Sequence, residues 1–115
     1  MDVNQRILSD ITVFMKYARY IPELNRRETW TELIDRNKAM HLRKFPQLKD
    51  EIEHAYEYVY AKKVLPSMRS LQFAGKPIEV GNQRMYNCCA LPVDHYKAFS
   101  ETLVLLLSGT GVGYS

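Results

Sequence analysis

Tyr86-Asn87-Cys88-Cys89-Ala90-Leu91-Pro92-Val93-Asp94, followed further along by Gly109-Thr110-Gly111-Val112-Gly113-Tyr114-Ser115, decides the fold. Residues 84–91 read as a strand or extended segment carrying the 2 cysteines of the chain. Pro92-Val93-Asp94 reads as a helix start with Asp94 as N-cap, and Ala98, Phe99, Thr102, Leu103, Leu106 and Leu107 give that helix an apolar face to bury. Gly109 is placed to end it in a left-handed cap, since glycine carries no Cβ penalty at positive φ. An extended segment, a helix and a glycine-rich return make this end of the chain α/β.

Toward the N-terminus, Gly81-Asn82 signals a turn, and Ala74-Gly75-Lys76-Pro77 signals another before a short extended piece at Ile78 to Val80. Met68, Leu71 and Phe73 sit among serines and glycine, and Pro66 closes a helical half. Within that half, Leu48, Ile52, Ala55, Tyr56, Val59 and Tyr60 recur at helical spacing, with Asp50 and Glu51 early and Lys62 and Lys63 late, as the helix dipole favours. The preceding helix spans 30–44. Thr29 and Glu32 form a Thr-x-x-Glu capping box at its start, Pro46 interrupts it, and Trp30, Leu33, Ile34, Asn37 and either Met40 or His41 face inward. The first helix carries Val3, Ile7, Ile11, Phe14 and Ala18 on one stripe and should end near Ile21-Pro22. The residues thus describe a helical layer of three segments followed by an irregular α/β portion, without repeats, low-complexity tracts or a linker.

With 115 residues and 46% hydrophobic content, the chain holds enough apolar material for one core and too little length for two domains. A net charge of +3, from 16 basic and 13 acidic residues, is too even for a nucleic-acid-binding surface, and Arg26-Arg27 and Arg43-Lys44 are short enough to be solvated helix faces. The N-terminus lacks a signal-peptide pattern, and no stretch approaches the roughly 18 apolar residues of a membrane span. Two cysteines adjacent in sequence make a disulfide-stapled extracellular domain a poor reading, so the expected compartment is the cytoplasm.

Adjacent cysteines do not readily bond each other, because a vicinal disulfide strains the intervening peptide. Cys88 and Cys89 are therefore either inert buried thiols or include one redox-active thiol whose partner lies in other sequence. No histidine stands at metal-ligand spacing from them, so no metal site is assigned. The Gly109–Gly113 run matches neither the dinucleotide fingerprint nor a P-loop. Its glycines would let backbone approach a ligand and present amides to it, or would simply cap a helix and turn the chain. His41, His54 and His95 are scattered, and Tyr56 and Tyr60 lie on an apolar helix stripe where packing explains them.

Four ordered blocks carry a resemblance: Asn25-Arg26-Arg27-Glu28-Thr29-Trp30, Leu65-Pro66-Ser67-Met68-Arg69-Ser70-Leu71-Gln72-Phe73-Ala74-Gly75, residues 86–94, and residues 107–115. In this order they resemble the N-terminal part of ribonucleotide reductase catalytic chains, most of all the adenosylcobalamin-dependent ribonucleoside-triphosphate reductases of bacteria and phages. The resemblance spans nearly the whole chain. It implies a mainly α N-terminal layer, residues 1–64, followed by the first strand and helix elements of a ten-stranded α/β barrel, residues 65–115, incomplete on its own.

In that family a cysteine thiyl radical abstracts a hydrogen from the ribose 3′ carbon while two further cysteines reduce the 2′ position. The resemblance places Cys88 at the redox cysteine on the first barrel strand and leaves Cys89 a bystander. It sets Thr110 and Gly111 against the substrate ribose, Asn87 near the substrate phosphates, and Leu65-Pro66-Ser67 at the loop entering the site. Adenosylcobalamin, or alternatively a radical from a metal-bearing partner subunit, would be bound by chain beyond this one. The expected partners are a ribonucleoside di- or triphosphate, the C-terminal remainder of the catalytic chain and a thioredoxin-like reductant, with neither membrane nor nucleic acid bound directly. The stop after Tyr114-Ser115 inside a family loop suggests a split or intein-interrupted gene, and an inactive chain when alone. A reading from another class is a small non-enzymatic helical interaction module with packing cysteines.

Overall fold

Thr29 starts the best-defined helix because its hydroxyl accepts from the Glu32 amide while the Glu32 carboxylate accepts from the Thr29 amide, so both ends of the capping box are made. In the computed structural model, which describes residues 2–115, this helix α2 runs Trp30–Lys44 as the sequence predicts. Before it come α1, Val3–Lys16, and a small antiparallel hairpin of β1, Tyr20–Ile21, and β2, Arg26–Arg27. After it come α3, Lys49–Tyr60, and two short helices, α4, Met68–Phe73, and α5, Lys76–Val80. The chain ends in β3, Cys88–Leu91, α6, Ala98–Leu107, and β4, Gly111–Tyr114. The protein is mainly helical, with two two-stranded sheets among the described residues.

The core lies where α2 and α3 cross under α4: Leu33, Ile34, Tyr56, Val59 and Leu71 are buried, and Val13, Tyr17, Trp30, Ile52 and Tyr60 pack around them. A second cluster of Met40, Ala74 and Ile78 seats α5 on the far end of α2. Asn37, 0% exposed, ties three helices together. Its Nδ2 donates to the Ser70 carbonyl at 3.0 Å and the Ser70 hydroxyl at 2.8 Å, and its Oδ1 accepts from the Tyr56 hydroxyl. A fully buried amide is tolerated because its donors and its acceptor are all used.

Four expectations are corrected. The first helix stops at Lys16 rather than near Ile21-Pro22, because the Ala18 amide folds back onto the Val13 carbonyl and the Arg19 amide is drawn to Glu28. Ile78 to Val80 is helical, not extended. Pro77 falls in the first turn of α5, where a missing N–H costs nothing, so the residue that reads as a breaker is an initiator. The last helix begins at Ala98, and Asp94 makes no cap; its carboxylate lies 3.5 Å from His95 Nε2. Finally, of the face predicted for burial, only Ala98 and Thr102 are buried, whereas Phe99, Leu103, Leu106 and Leu107 are exposed, as are Val3, Ile7, Ile11 and Phe14 on α1. Among the described residues no helix is long and apolar enough to cross a membrane.

Candidate functional site

Two strands side by side and parallel need a crossover, and α6 provides it: β3 pairs with β4 in the register Cys88↔Gly111, Cys89↔Val112, Ala90↔Gly113 and Leu91↔Tyr114. What sets this register is the end of α6. The Thr110 amide donates to the Leu105 carbonyl and the Gly109 amide to the Leu106 carbonyl, each at 3.0 Å, with Gly109 at φ 89°. These are the two bonds of a Schellman cap, so Gly109 ends the helix as predicted and delivers Gly111 to β3. The Gly111 amide then donates to the Asn87 carbonyl at 2.9 Å.

Cys88 is exposed and Cys89 half-buried, as the alternation of a strand requires, and both are free thiols. Opposite Cys88 stands the bare Cα of Gly111; a Cβ added there would lie 3.9 Å from Cys88 Cβ. Asn87, Cys88 and Gly111 are thus brought together at the head of the sheet. Thr110 is not presented with them: it is 1% exposed, and its hydroxyl lies 3.5 Å from the Gln83 and Tyr86 carbonyl oxygens. The amides of Gly109, Thr110 and Gly111 are all spent within the fold. A ligand beside Cys88 therefore meets glycine surface and side chains, not these three amides.

Leu65 and Ser67 are exposed and Pro66 half-buried ahead of α4, whose first turn Ser67 caps by accepting from the Ser70 amide at 3.1 Å. No hydrogen bond joins these three to the Cys88 strand among the described residues. The link is instead Arg69, two residues on, whose Nε–H donates to Asn87 Oδ1 at 2.8 Å. The sequence places Arg69 inside a motif without indicating a role for it; its bond from the first turn of α4 to Asn87, just before β3, is a long-range contact that no local pattern encodes.

The fold is that of part of a class II ribonucleotide reductase. It superposes on a crystal structure of a B-12 dependent (class II) ribonucleotide reductase with a TM-score of 0.67, at 24% identity, over 90% of this chain and 19% of that one. In sequence, the chain is similar to the adenosylcobalamin-dependent ribonucleoside-triphosphate reductase of Lactobacillus helveticus (strain DPC 4571), 29% identical over 107 residues. That match covers 83% of this chain but only 14% of the relative, so the chain spans about a seventh of the relative's length. No family model matches. The resemblance drawn from the four sequence blocks is borne out in both comparisons.

Proposed function

We propose that this chain supplies one wall of the catalytic site of a ribonucleotide reductase, as a fragment or split subunit completed by further chain. In this reading residues 1–64 are a helical N-terminal region, residues 65–115 open a ten-stranded α/β barrel, and β3 is its first strand. The observation that carries the reading is Cys88: an exposed thiol at the head of β3, facing a side-chain-free Gly111, in a chain with the fold of part of a class II reductase.

The chemistry this supports is a two-electron reduction. Cys88 and a second cysteine on the remaining chain give up two electrons and two protons and close a disulfide, while the ribose 2′ hydroxyl leaves as water and hydrogen replaces it. A thioredoxin-like reductant then reopens the disulfide. The substrate is a ribonucleoside triphosphate, as in the relative's name, or the diphosphate. Gly111 forms the floor beneath the ribose, Thr110 holds that floor from below, Asn87 borders the phosphates, and Leu65-Pro66-Ser67 line the entry. Among the described residues no group of three His, Cys, Asp or Glu side chains is set to hold a metal ion. Adenosylcobalamin, named for the relative and a source of a radical when bound, is assigned in this reading to the remaining chain, and none of the roles of these residues passes through it. The cytoplasm, where thiols stay reduced, suits such a cycle.

The test is a pair of variants in the complete catalytic unit with a dithiol reductant. Cys88→Ser is expected to lower deoxyribonucleotide formation by on the order of 10³-fold or more, the scale for losing a covalently acting group, while Cys89→Ser stays within a few fold. Equal loss from both variants would sink the assignment.

A further inference from the structure

The phosphates of a nucleotide seated beside Cys88 need positive charge, and the backbone there offers little, since the Gly109, Thr110 and Gly111 amides are engaged. We infer that Arg69 is the anion-binding residue of this site, taking a phosphate group of a ribonucleoside di- or triphosphate between its two terminal nitrogens. The identity of the nucleotide rests on the proposed reductase function; the phosphate site does not.

Three observations carry it. First, the guanidinium is held in place: Nε–H donates to Asn87 Oδ1 at 2.8 Å, and Cζ lies 5.8 Å from the centre of the Phe73 ring. Second, it is held without being neutralised. Arg26, Arg36 and Arg43 each spend their charge on Glu32, Glu28 and Glu79, whereas Arg69 has no carboxylate partner, and its Nη1 and Nη2 have no hydrogen-bond acceptor, among the described residues. Third, Nη1 faces open backbone: a Cβ built on Gly109 would lie 3.7 Å from it. The terminal edge of a fixed, half-buried guanidinium therefore opens beside the glycine surface that leads to Gly111 and Cys88. Two parallel N–H groups at a fixed angle match two oxygens of one phosphate, a geometry lysine does not offer. Asn87 on this account acts through Arg69, orienting it, which makes it a positioning residue.

The experiment titrates the 115-residue chain with inorganic tripolyphosphate, and in parallel with ATP, at low ionic strength, reading binding by calorimetry and the site by backbone amide shifts at Asn87 and Gly109. The amide spectrum also reports whether each variant keeps its fold. Wild type is expected to bind both ligands, Arg69→Ala to weaken binding more than about tenfold, Arg69→Lys to lie between, and Arg43→Ala, at an exposed ion pair elsewhere, to change it less than about twofold. Arg69→Gln, which can keep the bond to Asn87 without the charge, should behave as Arg69→Ala. If Arg69→Ala and Arg69→Gln bind tripolyphosphate as wild type does, or wild type binds none, the inference is wrong. Tight nucleotide binding indifferent to Arg69 overturns it while leaving the reductase reading intact. Equal, Arg69-dependent binding of ATP and tripolyphosphate upholds the phosphate site but counts against nucleoside recognition by this chain.

Discussion

Glu28, 9% exposed, is the residue on which the hairpin, α2 and the α4–α5 turn converge. Its carboxylate accepts from the Arg19 amide at 3.0 Å and from Arg36 at 2.8 and 2.9 Å, and both arginines donate onward to the Ala74 carbonyl. Burial pushes the carboxyl pKa up, but the Arg36 hydrogen bond, the Arg19 amide and the two guanidinium charges outweigh it and bring the net value below the usual 4.5. A carboxylate whose folded pKa is depressed stabilises the protein fully above its unfolded value. That stability is lost as pH falls from about 4.5 through the folded pKa. Glu28→Ala leaves the half-buried Arg36 without its partner and is expected to cost about 3 kcal/mol in denaturant unfolding at pH 7. The deficit should shrink as both proteins are taken below about pH 4, where wild type loses the same interaction. Glu32, drawn to about 2 by the Arg26 hydrogen bond and then the Thr29 amide, is exposed, so added salt separates its share from that of Glu28. An unchanged deficit at low pH would refute the assignment.

Among the elements, α2 is legible end to end because its signals are local: the capping box lies within four residues and Pro46 just past the last turn. The cap on α6 is legible for the same reason, since a Schellman motif is written in one glycine. Elements whose limits depend on remote contacts are not. α1 is cut short by Glu28 from the next segment, and α5 hides behind a proline that starts it. Cys88, Asn87 and Gly111 emerge as neighbours through resemblance, but the Arg69 contact to Asn87 crosses between α4 and β3, and periodicity is blind to it. The α6 cap also links element to site. At φ 89° a Cβ is strained wherever it points, so Gly109→Ala is expected to cost about 1–2 kcal/mol. It should also loosen the β3–β4 register, read as faster amide exchange at Gly111 and Ser115 than at α2. Loss spread evenly over the molecule would argue that the cap does not control the strand pair.

For the whole molecule, size and surface argue that the fold is open. A compact chain of this length has a radius of gyration of roughly 13 Å, whereas this one measures 17.2 Å. Its surface of 8267 Å² exceeds the roughly 6,500 Å² of a closed monomer of 13.5 kDa by about 1,700 Å². The excess is apolar in two places the sequence marks for burial, the α1 stripe and the outer face of α6, where Leu107 is 80% exposed. β3 and β4 form a two-stranded sheet, so each also leaves one edge of backbone groups unpaired, a state that ordinary domains cover. Periodicity finds these faces correctly and errs only on what covers them, because a helix pattern records that a face is apolar and not which chain lies against it. Under the proposed function the cover is the rest of the barrel. Leu103→Glu with Leu107→Glu, which touches neither the core nor Cys88, should then leave the unfolding free energy of the chain nearly unchanged. It should reduce self-association in sedimentation velocity and abolish assembly with the remaining catalytic chain. Assembly that survives both charges would mean that α6 is not the joining face, and the open surface would need another explanation.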